Sequence, residues 1–279
     1  MYTFPHSTRW LLKPPSGVQI NWGNPLTNGL VFFSIPDKDH PNNLVAPNSL
    51  GTLLSSTSYT GTTRLGSGAI STNSTSGGLY YPWTPFMNTL TNYVTILVWL
   101  IPTSIPAYGI ILCVPYAAGP SVSPYTCVGL QQYASSTSGL LNVGLSGTSR
   151  TATSNAGFIQ TSDTLTCYAC TVNTISGAVI FYRNGILWTS TSLSGTGSIT
   201  WTNQQPVTLL NQSNSAPNTG IAGTTPYAAM WNRVLSSQEM EQLFIDPYSI
   251  MQSQVLGKQY FLTPNIAGQQ QLSLFGCGY

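Results

Sequence analysis

Six acidic residues, two histidines and five cysteines are the whole stock from which this 279-residue chain could build a reactive centre. A glycoside-cleaving site needs two carboxylates about 5–5.5 Å or about 6.5–9.5 Å apart across the scissile bond. Both glutamates, Glu239 and Glu241, fall in Leu235–Ile245 beside a helix-start signal, which assigns them to a cap and a solvent face. Asp37, Asp39, Asp163 and Asp246 all lie outside the centres of the predicted strands. A Ser–His–Asp triad would have to use His6 or His40, each beside a proline in a loop-like context. No glycine-rich phosphate loop carrying a lysine is present. The sequence predicts no catalytic residue, no enzyme and no cofactor.

The cysteines are Cys113, Cys127, Cys167, Cys170 and Cys277. Their odd number, with no secretion signal in view, predicts reduced thiols. Cys167 and Cys170 form a C-x-x-C, but inside Thr164–Val172, which reads as a strand. On a strand, positions i and i+3 point to opposite faces, and a zinc site would need a second pair. Buried structural thiols are expected.

Binding chemistry is better supplied. Tyr80, Tyr81, Trp83, Tyr116, Tyr125 and Tyr133 lie in turn-rich segments. Aromatic faces stack on sugar rings while hydroxyl tips supply hydrogen bonds, so these six are the candidate carbohydrate-binding residues. The same residue types also serve in cores and subunit interfaces.

Only 5% of the chain is charged, with a net charge of +2, against about 25% in an ordinary soluble domain. So few cations cannot neutralise a run of phosphates, and nucleic acid is excluded as a partner. At 42% hydrophobic, the chain also lacks the low hydrophobicity and high net charge of a disordered polymer. Leu65–Ser149 carries no charge, yet Pro102, Pro106 and Pro115 cut its most apolar part short of the roughly 20 residues a spanning helix needs. No membrane insertion is expected. The apolar run Trp10-Leu11-Leu12 is shorter than the about 7–15 residues of a secretory signal, so synthesis and retention in a host cytoplasm until release are expected. The surface chemistry, with Ser and Thr almost a quarter of the chain, is nevertheless of an external type.

The elements that must position these residues are short strands. Tyr93–Ile101, Gly109–Val114, Leu140–Leu145, Thr164–Val172, Ala178–Arg183, Ile186–Ser192, Val207–Asn211 and Thr224–Trp231 are apolar or alternating runs bounded by Gly, Pro, Asn or Ser. The first should stop at Pro102. Asn184-Gly185 between two such runs predicts a two-residue type I′ hairpin. One helix is predicted: Ser236 as N-cap with Glu239 as the third helical residue forms a capping box, Met240, Leu243 and Phe244 make the apolar stripe, and Asp246-Pro247 ends it. Many short strands with a single helix predict an all-β fold.

These residues resemble a family. The order of strand, Asn-Gly hairpin, strand, then Met230–Phe244 with Asp246-Pro247-Tyr248, is similar to the close of a laminin-G-like, concanavalin-A-like jelly-roll domain. Thr174–Gly177 and Tyr182–Leu187 resemble the central hairpin of that family, and Lys13–Val31 resembles the lead-in of members encoded by tailed phages. The resemblance implies an antiparallel jelly-roll sandwich over 29–247, one short C-terminal helix, and extended terminal arms at 1–28 and 248–279. It also implies a calcium loop, whose place is taken here by Pro41–Gly51. Asp37, Asp39 and Asn42 are the only nearby set of candidate ligands, and a solvated loop is expected over a metal site.

The arms carry Trp10 and Trp22, and Tyr260, Phe261 and Phe275, with few charges. So much apolar surface must dock, and assembly on a neighbour is the expectation. Together these features predict a non-enzymatic virion structural protein, either a capsid decoration or head fibre or a tail-associated protein. Other virion proteins and further copies of this chain are its expected partners, and a host-surface glycan is its candidate ligand. A carbohydrate-binding adhesion module of a cellular protein is the alternative.

Overall fold

The computed structural model describes residues 13–71, 77–115, 126–133, 137–201, 204–211 and 220–252. They form two antiparallel sheets. Across the first, the strands run Ile186–Ser192, Ala178–Arg183, Thr166–Asn173, Tyr93–Ser104, Ala222–Trp231, Gly66–Ser71 and Thr57–Thr63, with Leu30–Ser34 also pairing on Ala222–Trp231. Across the second they run Thr148–Thr153, Gly139–Leu145, Thr126–Gln132, Ile110–Pro115, Val207–Leu209, Leu79–Tyr81 and Thr52–Leu53. A small hairpin, Asn42–Asn43 with Ala46–Leu50, stands apart from both.

The central strands are buried on both faces, which is why Ile96–Leu100 is an unbroken apolar run. Val94, Ile96, Val98 and Leu100 point into the core between the sheets. Leu97 and Trp99 point the other way, into a second core with Tyr227, Ala229 and Trp231. Cys167 and Cys170 divide in the same manner, one to each core, as the two-residue strand period requires. Both thiols are buried, outside any disulfide, and pushed up by desolvation, and the same burial raises Cys113 and Cys127 each to about 12. Cys277 lies outside the described residues.

Local signals are realised closely. Asn184 and Gly185 both have positive φ, 53° and 76°, in the two-residue turn between paired Arg183 and Ile186. The helix spans Ser237–Ile245, with the reciprocal capping box of Ser236 and Glu239 in place. Glu239 also receives both terminal nitrogens of Arg233, at 3.0 and 2.7 Å. The stop at Pro102 is corrected. The strand continues to Ser104, with Pro102 opposite Gly223 beside a register irregularity, where a residue without an N–H can be accommodated.

The domain boundaries also need correction. The expected arms at 1–28 and 248–279 are part of the folded unit at 13–28 and 248–252. Ile20, Leu26, Tyr248, Ile250 and Met251 belong to the second core, with Leu235, Met240 and Leu243 from the helix region. Ile20 bridges Met251, the Asn21 N–H donates to Ile250 O (2.8 Å), and the Trp231 indole donates to Leu26 O (2.7 Å). The physical reason is the apolar outer face of the first sheet, which the chain's own ends cover. Trp10, Tyr260, Phe261 and Phe275 lie outside the described residues.

Tyr248 packs its ring 6.1 Å from Tyr227 and donates its hydroxyl to Leu65 O at 2.8 Å. Tyr248→Ala is expected to cost about 3 kcal/mol or more in chemical denaturation. A loss below about 1 kcal/mol would show that the C-terminal segment does not share the second core.

Candidate functional site

The cover over the first sheet leaves a groove of about 400 Å³ at one end, within the range of about 300–1,000 Å³ common for small-molecule sites. One wall is Gly17–Ile20 with Trp22, and the other is Asp39–Asn42 with Leu44, Val45 and Pro47. Trp22 is carried at the tip of a turn closed by the Asn24 N–H on Asn21 O (2.9 Å) and tied down by the Asn24 amide on Ser249 O (2.7 Å). Its indole stays 59% exposed. The opposite wall is fixed by buried Asn43. Its Oδ1 accepts from the N–H groups of Phe33 and Val45, both at 3.2 Å, while Leu44 N–H donates to Phe33 O (2.8 Å).

Behind that wall lies a buried ion network. Asp37 Oδ1 accepts from the N–H groups of Asp39 (2.9 Å) and His40 (2.7 Å) and from His40 Nδ1 (2.9 Å). Its Oδ2 takes Ser67 Oγ and the Lys13 ammonium, both at 3.1 Å. Burial opposes the charge on Asp37, but His40 and Lys13 outweigh it and hold the carboxyl well below the usual carboxylate range. Desolvation pulls Lys13 down to about 8 against the attraction of Asp37. The ammonium also donates to the carbonyls of Ile35 (3.2 Å) and Ser67. A side chain on Gly66, at φ 103°, would stand 2.8 Å from Lys13 Cβ, so glycine is required there.

His40 is only 5% exposed, and its Nε2 has no hydrogen-bond partner among the described residues. Asn42 Oδ1 is likewise buried and unpartnered, its Nδ2 being committed to Pro47 O at 2.5 Å. The groove therefore sets an exposed indole beside two lining side chains, His40 and Asn42, that each keep one buried polar atom without a partner among the described residues.

The sequence candidates are scattered differently. Tyr81 is corrected: it is fully buried between the sheets, edge-on to Phe32 and bonded to Ser34, so it is a core residue. Tyr80 and Trp83 are half-buried, Trp83 packing on the inter-sheet core. Tyr133 is exposed and meets Tyr108 edge-on at 6.3 Å. Three strands and four residues separate it from Tyr80, roughly 20 Å, so these aromatics do not form one site. Tyr116 and Tyr125 lie outside the described residues. The solvated loop expected at Asp37 is also corrected, because its carboxylate is buried and ion-paired. Five donors on that carboxylate, one an ammonium, do not fit a calcium ligand, which needs free oxygens. Among the described residues no cluster of three or more metal-ligating side chains occurs.

Trp22 was expected only as an arm residue, and Tyr108 and His40 were not among the binding candidates. The signal for the first two is an aromatic followed by glycine in a turn, Trp22-Gly23 and Tyr108-Gly109.

A sequence model of the concanavalin A-like lectin/glucanases superfamily matches residues 70–241, more than half of the chain. Among curated proteins, none matches by sequence. Solved structures share the fold. The binding domain of Paraclostridial Mosquitocidal Protein 1 aligns at TM-score 0.61 and 14% identity, over 80% of this chain and 53% of that one. Domain 4 of AbnA, a GH43 extracellular arabinanase from Geobacillus stearothermophilus in complex with arabinotriose, aligns at 0.56 and 15%, over 77% and 97%. The binding domain of botulinum neurotoxin DC in complex with SialylT aligns at 0.55 and 12%, over 79% and 52%. The chain thus spans about half the length of the toxin binding domains it resembles.

The depressed Asp37 carboxyl makes stability pH-dependent. The unfolded chain takes up a proton near the ordinary value of 3.8, while the native state resists it. The stabilisation is therefore complete above about pH 4 and is lost as pH falls towards the native value. Asp37→Asn should cost about 3–5 kcal/mol at neutral pH and flatten the acid limb of a stability–pH profile. An unchanged limb would remove Asp37 from that role.

Proposed function

The chain belongs to the concanavalin A-like lectin/glucanases superfamily, and we propose that it is a non-catalytic, glycan-binding structural protein of a phage virion. The observation that carries the binding half is the groove, where exposed Trp22 lines the same cavity as His40 and Asn42. Indole over sugar ring, with a few convergent polar atoms, is the usual economy of a lectin site. Two structural neighbours are described as complexes with arabinotriose and with SialylT, which fits a glycan role on this fold.

The carboxylates support a non-catalytic reading. Asp37 is consumed by its ion network, Asp163 by Arg183 and Tyr168, and Glu239 by Arg233 and the helix cap, while Asp246 sits at the C-cap of the helix. Asp39 and Glu241 are exposed, one on the groove rim and one on the helix. Hydrolysis would need a facing pair.

The virion reading rests on the low charge and the phage-type lead-in at Lys13–Val31. Large interfaces deplete charge at their centres, which suits assembly with other virion proteins and with copies of this chain. Mass spectrometry of purified particles from a phage carrying this gene should find the chain at stoichiometric level. Its recovery only in the host fraction would favour a cellular adhesion module.

Trp22→Ala should weaken binding on a glycan array by about tenfold or more, while thermal stability stays within about 0.5 kcal/mol because the ring is exposed. Unaltered binding would move the site elsewhere on the domain.

A further inference from the structure

Resting on the reading that copies of this chain assemble with one another, we infer that Ile186–Ser192, the outer strand of the first sheet, is an interaction surface for the same strand of a second copy. The two strands pair antiparallel across a two-fold axis at Thr191 and make one continuous sheet. A terminal strand presents a row of unpaired N–H and C=O groups, and natural sheets blunt such rows with charge, proline, bulges, shortness or a covering loop. Three of the four sheet ends carry a device of that kind. Thr57–Thr63 contains Gly61 at a register irregularity and leads into exposed Arg64. Thr52–Leu53 is two residues long. Thr148–Thr153 carries Arg150, and Ser194 covers Thr151: its N–H donates to Thr151 O (3.0 Å) and its Oγ accepts from the Thr151 N–H (3.1 Å).

Ile186–Ser192 lacks these protections. Its seven residues, Ile-Leu-Trp-Thr-Ser-Thr-Ser, hold no charge, proline or glycine. Ile186 and Leu187 are 72% and 51% exposed. The one register irregularity falls at Trp188, opposite Phe181 and Tyr182, so Thr189–Ser192 keeps regular geometry. Leu193 N–H donates to Gly177 O (2.8 Å). Antiparallel alternation then turns the N–H and C=O of Thr191 inwards, to Val179, and those of Ser190 and Ser192 outwards. Both serines are exposed, and among the described residues nothing bonds their backbone on that side. The strand is also held in place for pairing, with Asn155 N–H on Thr189 Oγ1 (3.0 Å) and the Trp188 indole on Asn155 O (3.4 Å).

A second copy fits this edge because an antiparallel edge is self-complementary. With the axis at Thr191, Ser190 of each copy meets Ser192 of the other, and the two pairs exchange about four backbone hydrogen bonds. Like charges beside the axis would repel, and the strand carries none; Arg183, on the neighbouring strand, is neutralised by Asp163. The Trp22 groove borders Leu30–Ser34, several strands away across the sheet. Pairing therefore leaves it open and sets two grooves in one assembly, which raises avidity on a surface that repeats its ligand.

The test is sedimentation equilibrium of the full chain from micromolar to hundred-micromolar concentration. The mass should rise towards about twice 29.9 kDa, and hydrogen exchange at the Ser190 and Ser192 amides should slow by about tenfold or more at the higher concentration. Ser190→Lys places charge beside the axis, and Ser190→Pro removes an outward N–H, which an edge position tolerates. Both variants should stay monomeric with an unchanged circular dichroism spectrum. A dimer that persists in the lysine variant, or that forms with the two amides still exchanging freely, would overturn this interface while leaving self-assembly standing. A wild-type chain that is monomeric throughout would overturn both.

Discussion

The structure depends on one constraint: the first sheet is apolar on both faces. One face is closed by the second sheet, as in any sandwich. The other presents Leu97, Trp99, Tyr227 and Trp231, and leaving such rings in water would forgo the burial of about 150–250 Å² each. The chain closes that face with its own lead-in, its helix and the segment after Pro247, which meet where Ile20 pairs with Met251. A third layer made of short, irregular pieces has edges that do not tile perfectly. The groove lies at one such edge, between the lead-in and the small hairpin.

The Lys13–Asp37–His40 network is how that edge is held. It joins the first described residue of the lead-in to the loop preceding the hairpin, with both charged side chains 6% exposed. Every oxygen of Asp37 is engaged and Lys13 finds three acceptors, so the charges are compensated where an unpaired one would be prohibitive. The same network holds the His40 ring and the Lys13 ammonium on Asp37.

What was legible in the sequence was local. The Asn184-Gly185 turn and the Ser236–Glu239 box involve residues within a few positions of each other, and both form as read. Tyr80 and Tyr81 show the limit. Strand alternation requires that neighbours part company, but the residues alone did not say which would enter the core. Thr57–Thr63 and Gly66–Ser71 went unread because a Ser/Thr- and Gly-rich edge hairpin has no apolar alternation to betray it. Trp22 was visible as an apolar residue needing a place, yet its position depends on Asn24 meeting Ser249, 225 residues away. The Asp37 network looked like a hydrated acidic loop for the same reason. Its countercharge, Lys13, lies in a segment that resembled a detached arm.

The most direct measurement is a two-dimensional NMR titration of the labelled chain with the best-binding glycan of an array, following the His40 imidazole, the Trp22 indole and the Asn42 amide. The account predicts that all three shift together in a saturable manner, with the Tyr108 and Tyr133 rings unmoved. Shifts confined to Tyr108 and Tyr133, or to no side chain of the groove, would contradict it.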